Sequence, residues 1–177
     1  MSNLTQTLSE ISNFMYLYLE ERNVEWWLDF GQLLAAHRDK VKLPWDNDID
    51  FLIVVRSDDE WESIRNEILN KLDTKFVYAL PNKLLRVKKG NWILDFFRAS
   101  RTDEWIDIVM YSNQMSMRST FFENKKTISL DGVKFNCPDN LDVYLKIRYG
   151  DDWQTPIIKD CRNVRKNPRQ DIQFEKI

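Results

Sequence analysis

The stretch LPWDNDIDFLIVV, residues 43–55, decides how this chain is read, because three carboxylates run directly into a β-branched apolar segment. If that segment is a strand, alternation puts Asp48 and Asp50 on one face, with Cα atoms roughly 6–7 Å apart. Like charges held so close raise one another's pKa unless a cation or a proton intervenes, and leaving them unpaired at a strand start is costly. A divalent cation is the simplest compensation. A solvated acidic loop is the alternative for an arbitrary DxD, and the sequence upstream weighs against it.

Immediately before lies VEWWLDF (24–30), aromatic and short like a buried strand. Gly31 punctuates it, and QLLAAHR (32–38) reads as a helix. The order is therefore strand, glycine turn, helix, proline loop, acidic strand. Gly31 permits a tight turn and a close approach of backbone to ligand, and the helix after it aims its first N–H groups at whatever binds there, phosphate being the natural guest. A lone glycine before a helix is often only a turn. This one gains weight by lying 17 residues ahead of Asp48.

Further out, residues 4–22 have apolar positions at helical spacing, and Ser57 is placed to cap a helix over SDDEWESIRNEILNKL. FVYAL, KLLRVKK, NWILDFF and EWIDIVMY read as further strands of a sheet, and TISLDGVKFNCP as a hairpin turning at Asp131-Gly132. Asp139 or Asn140 is expected to cap a last helix, LDVYLKIRY, closed by Gly150.

Fixing an ion for in-line phosphoryl chemistry takes a third carboxylate on a neighbouring strand. Asp107, between Ile106 and Ile108 in an otherwise apolar segment, is the preferred choice, since an acid in that setting is seldom there for packing. Asp95 in NWILDFF has the same local look and is its rival. Pairing with Arg86 or Arg98 is the structural alternative for either acid.

Composition bounds the rest. With 177 residues, 43% hydrophobic and 13% aromatic, the chain suits one folded domain. A net charge of −2, spread evenly, gives no electrostatic case for nucleic acid, and a small-molecule or glycan substrate fits better. Cys137 and Cys161 form neither a disulfide framework nor a zinc set. The single histidine, His37, excludes an HExxH site and makes any Ser/His/Asp triad depend on it; a capping role is as reasonable for it as a catalytic one. No run approaches the ~20 apolar residues of a membrane span, and MSNLTQTLSE lacks signal-peptide character, so a cytoplasmic chain without membrane insertion is expected. Residues 1–158 are taken as the domain and 159–177, with five basic residues between 159 and 169, as a basic C-terminal extension.

Three patches together resemble the LicD and fukutin-related family. WWLDFGQLLAAHRDKVKLPWDNDIDFLI (26–53) resembles its aromatic strand, G[ST]LLG turn, arginine and PWDxDxD; WIDIVMY (105–111) its IDIF strand; and DGVKFNCPDNLDVYLKIRYGDDWQTP (131–156) its closing hairpin and YLxxRYGxxW helix. The resemblance implies an α+β, nucleotidyltransferase-like fold of the polymerase β superfamily, a mixed sheet flanked by helices. It implies transfer of a phosphorylated alcohol, such as phosphocholine or ribitol phosphate, from a CDP-activated donor to a glycan hydroxyl, with Mg²⁺ or Mn²⁺. Asp48, Asp50 and Asp107 would be the metal-binding and catalytic acids and Asp46 a supporting one. Gly31 would sit at the phosphate turn, with Arg38 the family's arginine, either on a phosphate or bracing Asp46. Tyr149 would serve substrate binding or packing.

Gln32 stands where the family has Ser or Thr, and Ala35 replaces its second glycine. Gln32 can still donate through its amide, at greater reach than a hydroxyl. A chain this short leaves room for a partner protein that recognises the acceptor. Two other readings accompany the first: a nucleotidyltransferase moving NMP from an NTP, and a non-catalytic relative that binds a nucleotide or glycan.

Overall fold

The acidic segment is a strand, and it lies inside the sheet rather than at its edge. The computed structural model describes residues 3–43, 46–110 and 114–155. In chain order, α1 (Asn3–Phe14) runs on into a π-helical segment (Met15–Glu20). Then come β1 (Glu25–Asp29), α2 (Phe30–Arg38), β2 (Asp48–Val54) and α3 (Asp58–Lys71). β3 (Lys75–Leu80), β4 (Leu84–Lys89), β5 (Trp92–Arg101), β6 (Trp105–Val109) and β7 (Gln114–Arg118) complete the main sheet. A 3₁₀ turn (Ser119–Phe122), the hairpin β8 (Lys126–Leu130) and β9 (Val133–Cys137), and α4 (Leu141–Tyr149) follow.

The sheet order is β1-β2-β5-β4-β3, with β6 on the far end of β5 and β7 beside β6. Among the described residues β2 and β5 run parallel and the other pairs of this sheet are antiparallel. The α3 helix and the β3–β4 hairpin fill the connection that a parallel pair requires.

Alternation sorts the sheet into two unlike faces. On one, Phe51 stacks on Phe96 at 5.5 Å and meets Phe135 of β9 at 6.0 Å, while Trp26 meets Tyr16 at 5.0 Å. The N-terminal helix and the hairpin close this apolar face, with the Ser12 hydroxyl donating to the Lys134 carbonyl at 2.7 Å. On the other face, Trp27 and Phe97 are interrupted by Asp29, Asp48, Asp50 and Asp95. There Trp27 packs on Phe122 at 5.4 Å and Phe122 on Tyr144 at 5.9 Å, so the 3₁₀ turn and α4 form its cover.

Local chemistry explains the boundaries. The Ser57 hydroxyl accepts from the Glu60 N–H at 3.1 Å, and acids fill the first turn of α3. Asp131 and Gly132 both adopt positive φ, 47° and 82°, as the tight turn between β8 and β9 requires. Asn140 holds the cap position of α4 in a left-handed conformation, while it is the Asp139 carboxylate that accepts the Asn140 N–H at 2.8 Å.

The sequence pattern missed β7 and the turn after it. QMSMR has no β-branched residue and no aromatic, and it becomes a strand only because β6 offers it an edge. The 159–177 extension lies outside the described residues. Because Phe51 is wholly buried among the rings of Trp26, Phe96 and Phe135, Phe51→Ala is expected to cost about 3–5 kcal/mol. Urea unfolding would read this as a lowered midpoint at unchanged m-value.

Candidate active site

Register assembles the site. Asp29, Asp50 and Asp95 lie side by side on β1, β2 and β5, since Asp50 is the partner of Asp29 on one side and of Asp95 on the other. Asp48 lies two residues before Asp50 on the same face, as alternation demands. Arg86 on β4 is the partner of Asp95 and extends the row by one strand.

The two outer acids each have an arginine. Arg86 grips Asp95 with two prongs, Nε on Oδ1 at 2.6 Å and Nη2 on Oδ2. Arg148 pairs with Asp29, and the Tyr144 hydroxyl donates to the same carboxylate at 2.9 Å. Both members of the Asp29–Arg148 pair are essentially inaccessible. The arginine of RYG therefore ties α4 to the end of β1.

The two inner acids have no such partner among the described residues. Burial, then the charges of Asp95, Asp48 and Asp46, hold the Asp50 carboxyl well above the usual range, with Arg86 pulling the other way. Asp48 is raised chiefly by burial, and Arg86 lowers it. Asp46 is raised by burial although its Oδ1 accepts the Asp48 N–H at 3.0 Å, a bond that fixes the start of β2. Tyr149 is raised by burial, with Arg148 pulling the other way and the charges of Asp50 and Asp46 adding to the rise, so the phenol lies within the field of the acids.

Gly31 has a reason other than backbone freedom. A Cβ there would sit 2.8 Å from Asp46 Oδ2, so the glycine makes room for the acid. The left-handed conformation falls instead on Phe30, at φ 53°, just after Asp29 accepts the Phe30 N–H at 2.7 Å. That strain of about 1–3 kcal/mol is held by packing. Phe30 is wedged between Phe97 at 5.4 Å and the Arg148 guanidinium at 4.3 Å. Next along, Gln32 is wholly buried and both atoms of its amide lack a hydrogen-bond partner. It lies close enough to Asp46 to favour that charge, yet its geometry falls short of a closed bond.

Several sequence-based expectations change. Asp107 does not join Asp48 and Asp50: it is opposite Ser100, five residues along β5 from Asp95, or roughly 16 Å, and on the other face. It accepts the Ser116 hydroxyl there. Asp95, the rival, is the acid that pairing brings beside Asp50. Arg38 is at the far end of α2 from Gly31, paired with Asp39 rather than Asp46. His37 stacks on Trp153 at 5.5 Å, and its Nε2 lies 2.9 Å from Asp142, which joins α2 to α4. Cys137 is buried, and burial pushes its thiol up to about 12, so it is no nucleophile. The pairing of Asp95 with Arg86 is the structural alternative that the sequence offered, whereas Asp29 escaped sequence reasoning because its place depends on register alone.

Among the described residues, no three acid, imidazole or thiol groups converge on a single point as metal ligands do. The donor set still fits a hard divalent cation: carboxylates only, two of them without a paired arginine or lysine among the described residues and held at raised pKa by burial first and by the neighbouring acids second. Asp48 and Asp50 would hold it, with Asp95 the adjacent third acid.

Set beside known structures, the chain resembles the solution structure of the antibiotic-resistance factor ANT(2'')-Ia, with a TM-score of 0.53 at 18% identity, covering 90% of this chain and 79% of that one. A crystal structure of ANT(2'')-Ia in complex with adenylyl-2''-tobramycin gives 0.48 at 16% identity, covering 78% and 70%. The mixed sheet with its flanking helices is thus a nucleotidyltransferase fold. The family model described as "LicD/FKTN/FKRP, nucleotidyltransferase domain" matches residues 23–140, more than half of the chain, and the chain belongs to that family, which makes it a transferase. No curated protein matches it. No described helix is long and apolar enough to cross a membrane.

The pKa shifts carry a stability test. A carboxyl whose folded pKa is raised takes up its proton on folding, so it disfavours the fold as pH climbs through that raised value. Asp50→Asn is expected to stabilise the metal-free protein at pH 8 by about 0.5–2 kcal/mol. The gain should vanish below the ordinary carboxylate range, where the native acid is protonated in both states. Thermal melts at the two pH values check it.

Proposed function

We propose that this chain transfers a phosphorylated alcohol from a CDP-activated donor to a glycan hydroxyl, with Asp48, Asp50 and Asp95 as its acidic centre. One observation carries the reading: the parallel β2–β5 ladder lines up Asp50 and Asp95 beside Asp48, and the wholly buried Gln32 amide lies next to Asp46 without a closed hydrogen bond among the described residues. A buried amide with unused hydrogen-bonding capacity is a place where a ligand oxygen gains. A donor phosphate answers both features.

A bound Mg²⁺ or Mn²⁺ would supply charge neutralisation for the diphosphate and the departing phosphate. The chain's own groups do the positioning. Asp46 holds the start of β2 through the Asp48 N–H, so the two inner carboxylates keep a fixed attitude. The Gln32 NH₂ and the backbone N–H groups of Gly31 and Gln32, next along from the Phe30 N–H that Asp29 takes, donate to donor phosphate oxygens, as a hydroxyl at that place would from closer in. Tyr149 walls the acids from the α4 side.

In the reaction, the glycan oxygen forms a bond to the phosphorus that bears the alcohol, and the bond from that phosphorus to the bridging oxygen breaks. CMP leaves with the electron pair, and the hydroxyl proton passes to a carboxylate of the cluster. A carboxylate with a raised pKa is the better acceptor. Catalysis here is mostly positioning and charge, which a rigid sheet provides.

The test is transfer or donor hydrolysis with CDP-ribitol, CDP-choline and CDP-glycerol in Mg²⁺. Asp48→Asn, Asp50→Asn and Asp95→Asn are each expected to lower kcat/KM by about 10²-fold or more. Asp107→Asn should stay within about threefold, as befits a residue outside the site. Turnover with none of these donors, together with pyrophosphate release from an NTP, would overturn the proposal in favour of NMP transfer. Retained binding without any turnover would favour the non-catalytic reading.

A further inference from the structure

We propose that Arg86 is an exchangeable counter-ion, holding Asp95 in the metal-free chain, yielding that carboxylate to an entering divalent cation, and then presenting its guanidinium to the donor's diphosphate. This rests on the reading of Asp48, Asp50 and Asp95 as a cation site, and goes beyond it by giving Arg86 two alternative partners.

The contrast between the two arginines on this face carries the argument. Arg148 and Asp29 are sealed, with side-chain exposures of 1% and 0%, and Tyr144 shares the same carboxylate. Parting them would leave two buried charges uncompensated, so that pair is permanent. Arg86 and Asp95 are different: the carboxylate is 2% exposed, but the guanidinium side is 26% exposed and opens to solvent. While it holds Asp95, Arg86 also lies over the Tyr78 ring of β3, 5.3 Å from its guanidinium carbon, so the ring flanks the guanidinium on its path away from the carboxylate.

Geometry makes the two partners exclusive. Arg86 engages both oxygens of Asp95, which leaves that carboxylate no favourable approach for a cation on the same side. Charge favours keeping Arg86 nearby. With Asp29 answered by Arg148, the carboxylates of Asp48, Asp50 and Asp95, with Asp46 beside them, exceed what a single divalent ion neutralises, and Arg86 offsets part of the surplus. Once the donor arrives its diphosphate is the richer anion, and a planar two-pronged guanidinium suits it. Arg86 thus acts as a positioning residue that holds Asp95 in place until the substrate complex forms.

The experiment is Mn²⁺ binding to the full chain, by calorimetry and by water-proton relaxation, in wild type, Arg86→Gln, Arg86→Lys and Asp95→Asn. Exchange predicts that Arg86→Gln binds Mn²⁺ about tenfold more tightly than wild type, having lost the competitor, while Asp95→Asn binds more weakly by a similar factor. In the presence of Mn²⁺, Arg86→Gln should bind CDP about tenfold more weakly. A folded Arg86→Gln whose Mn²⁺ affinity equals or falls below wild type overturns the proposal and makes the pair a fixed brace. If that variant does not fold, Arg86→Lys decides: its single-point contact predicts tighter Mn²⁺ binding, and unchanged affinity overturns the exchange. A wild type that binds no Mn²⁺ at all overturns the cation site itself, a failure distinct from equal affinities in the two proteins.

Discussion

Everything at the site depends on one parallel strand pair. The β2–β5 ladder sets Asp50 beside Asp95, and slipping β2 by one residue would send Asp48 and Asp50 to the aromatic face and Phe51 to the acid face. The register is held by what lies behind it. Phe51 and Phe96 are neighbours in the same ladder and stack on the apolar face, so the packing that stabilises the sheet also sets the spacing of the carboxylates. Core and centre are opposite sides of the same strands.

Crowding four acids on one face is unfavourable, and the chain offsets it unevenly. Asp29 and Asp95 receive arginines from α4 and β4, whereas Asp48 and Asp50 receive none and rise in pKa. Such a division marks sites that handle charged ligands, because a fully compensated face would have nothing to offer a cation. The membership in a transferase family and the fold likeness to a nucleotidyltransferase agree with that division.

Much of this was legible in the residues themselves. The acidic strand, the helix after Gly31, the Ser57 cap and the Asp131-Gly132 hairpin all follow from local chemistry that acts within a few positions. The third acid did not. Asp95 and Asp107 both interrupt apolar strands, and nothing within either segment tells them apart; only the pairing of β5 with β2 along one half and with β6 along the other does so. Long-range register is what short patterns cannot encode. The role of Gly31 is a milder case: the sequence suggested room for a ligand, and the structure fills that room with Asp46.

The wedge at Phe30 gives the closing segment of the chain a mechanical role. A strained residue stays put only while its neighbours press on it, and here the pressing groups are Phe97 from the sheet and Arg148 from α4. The final helix therefore works as a latch on the loop that opens α2. Were α4 to lift, Phe30 would spring back toward ordinary backbone angles, carrying Gly31 and Gln32 away from the carboxylates. The distance in sequence between the first motif and the last is thus closed by a single stressed hinge point.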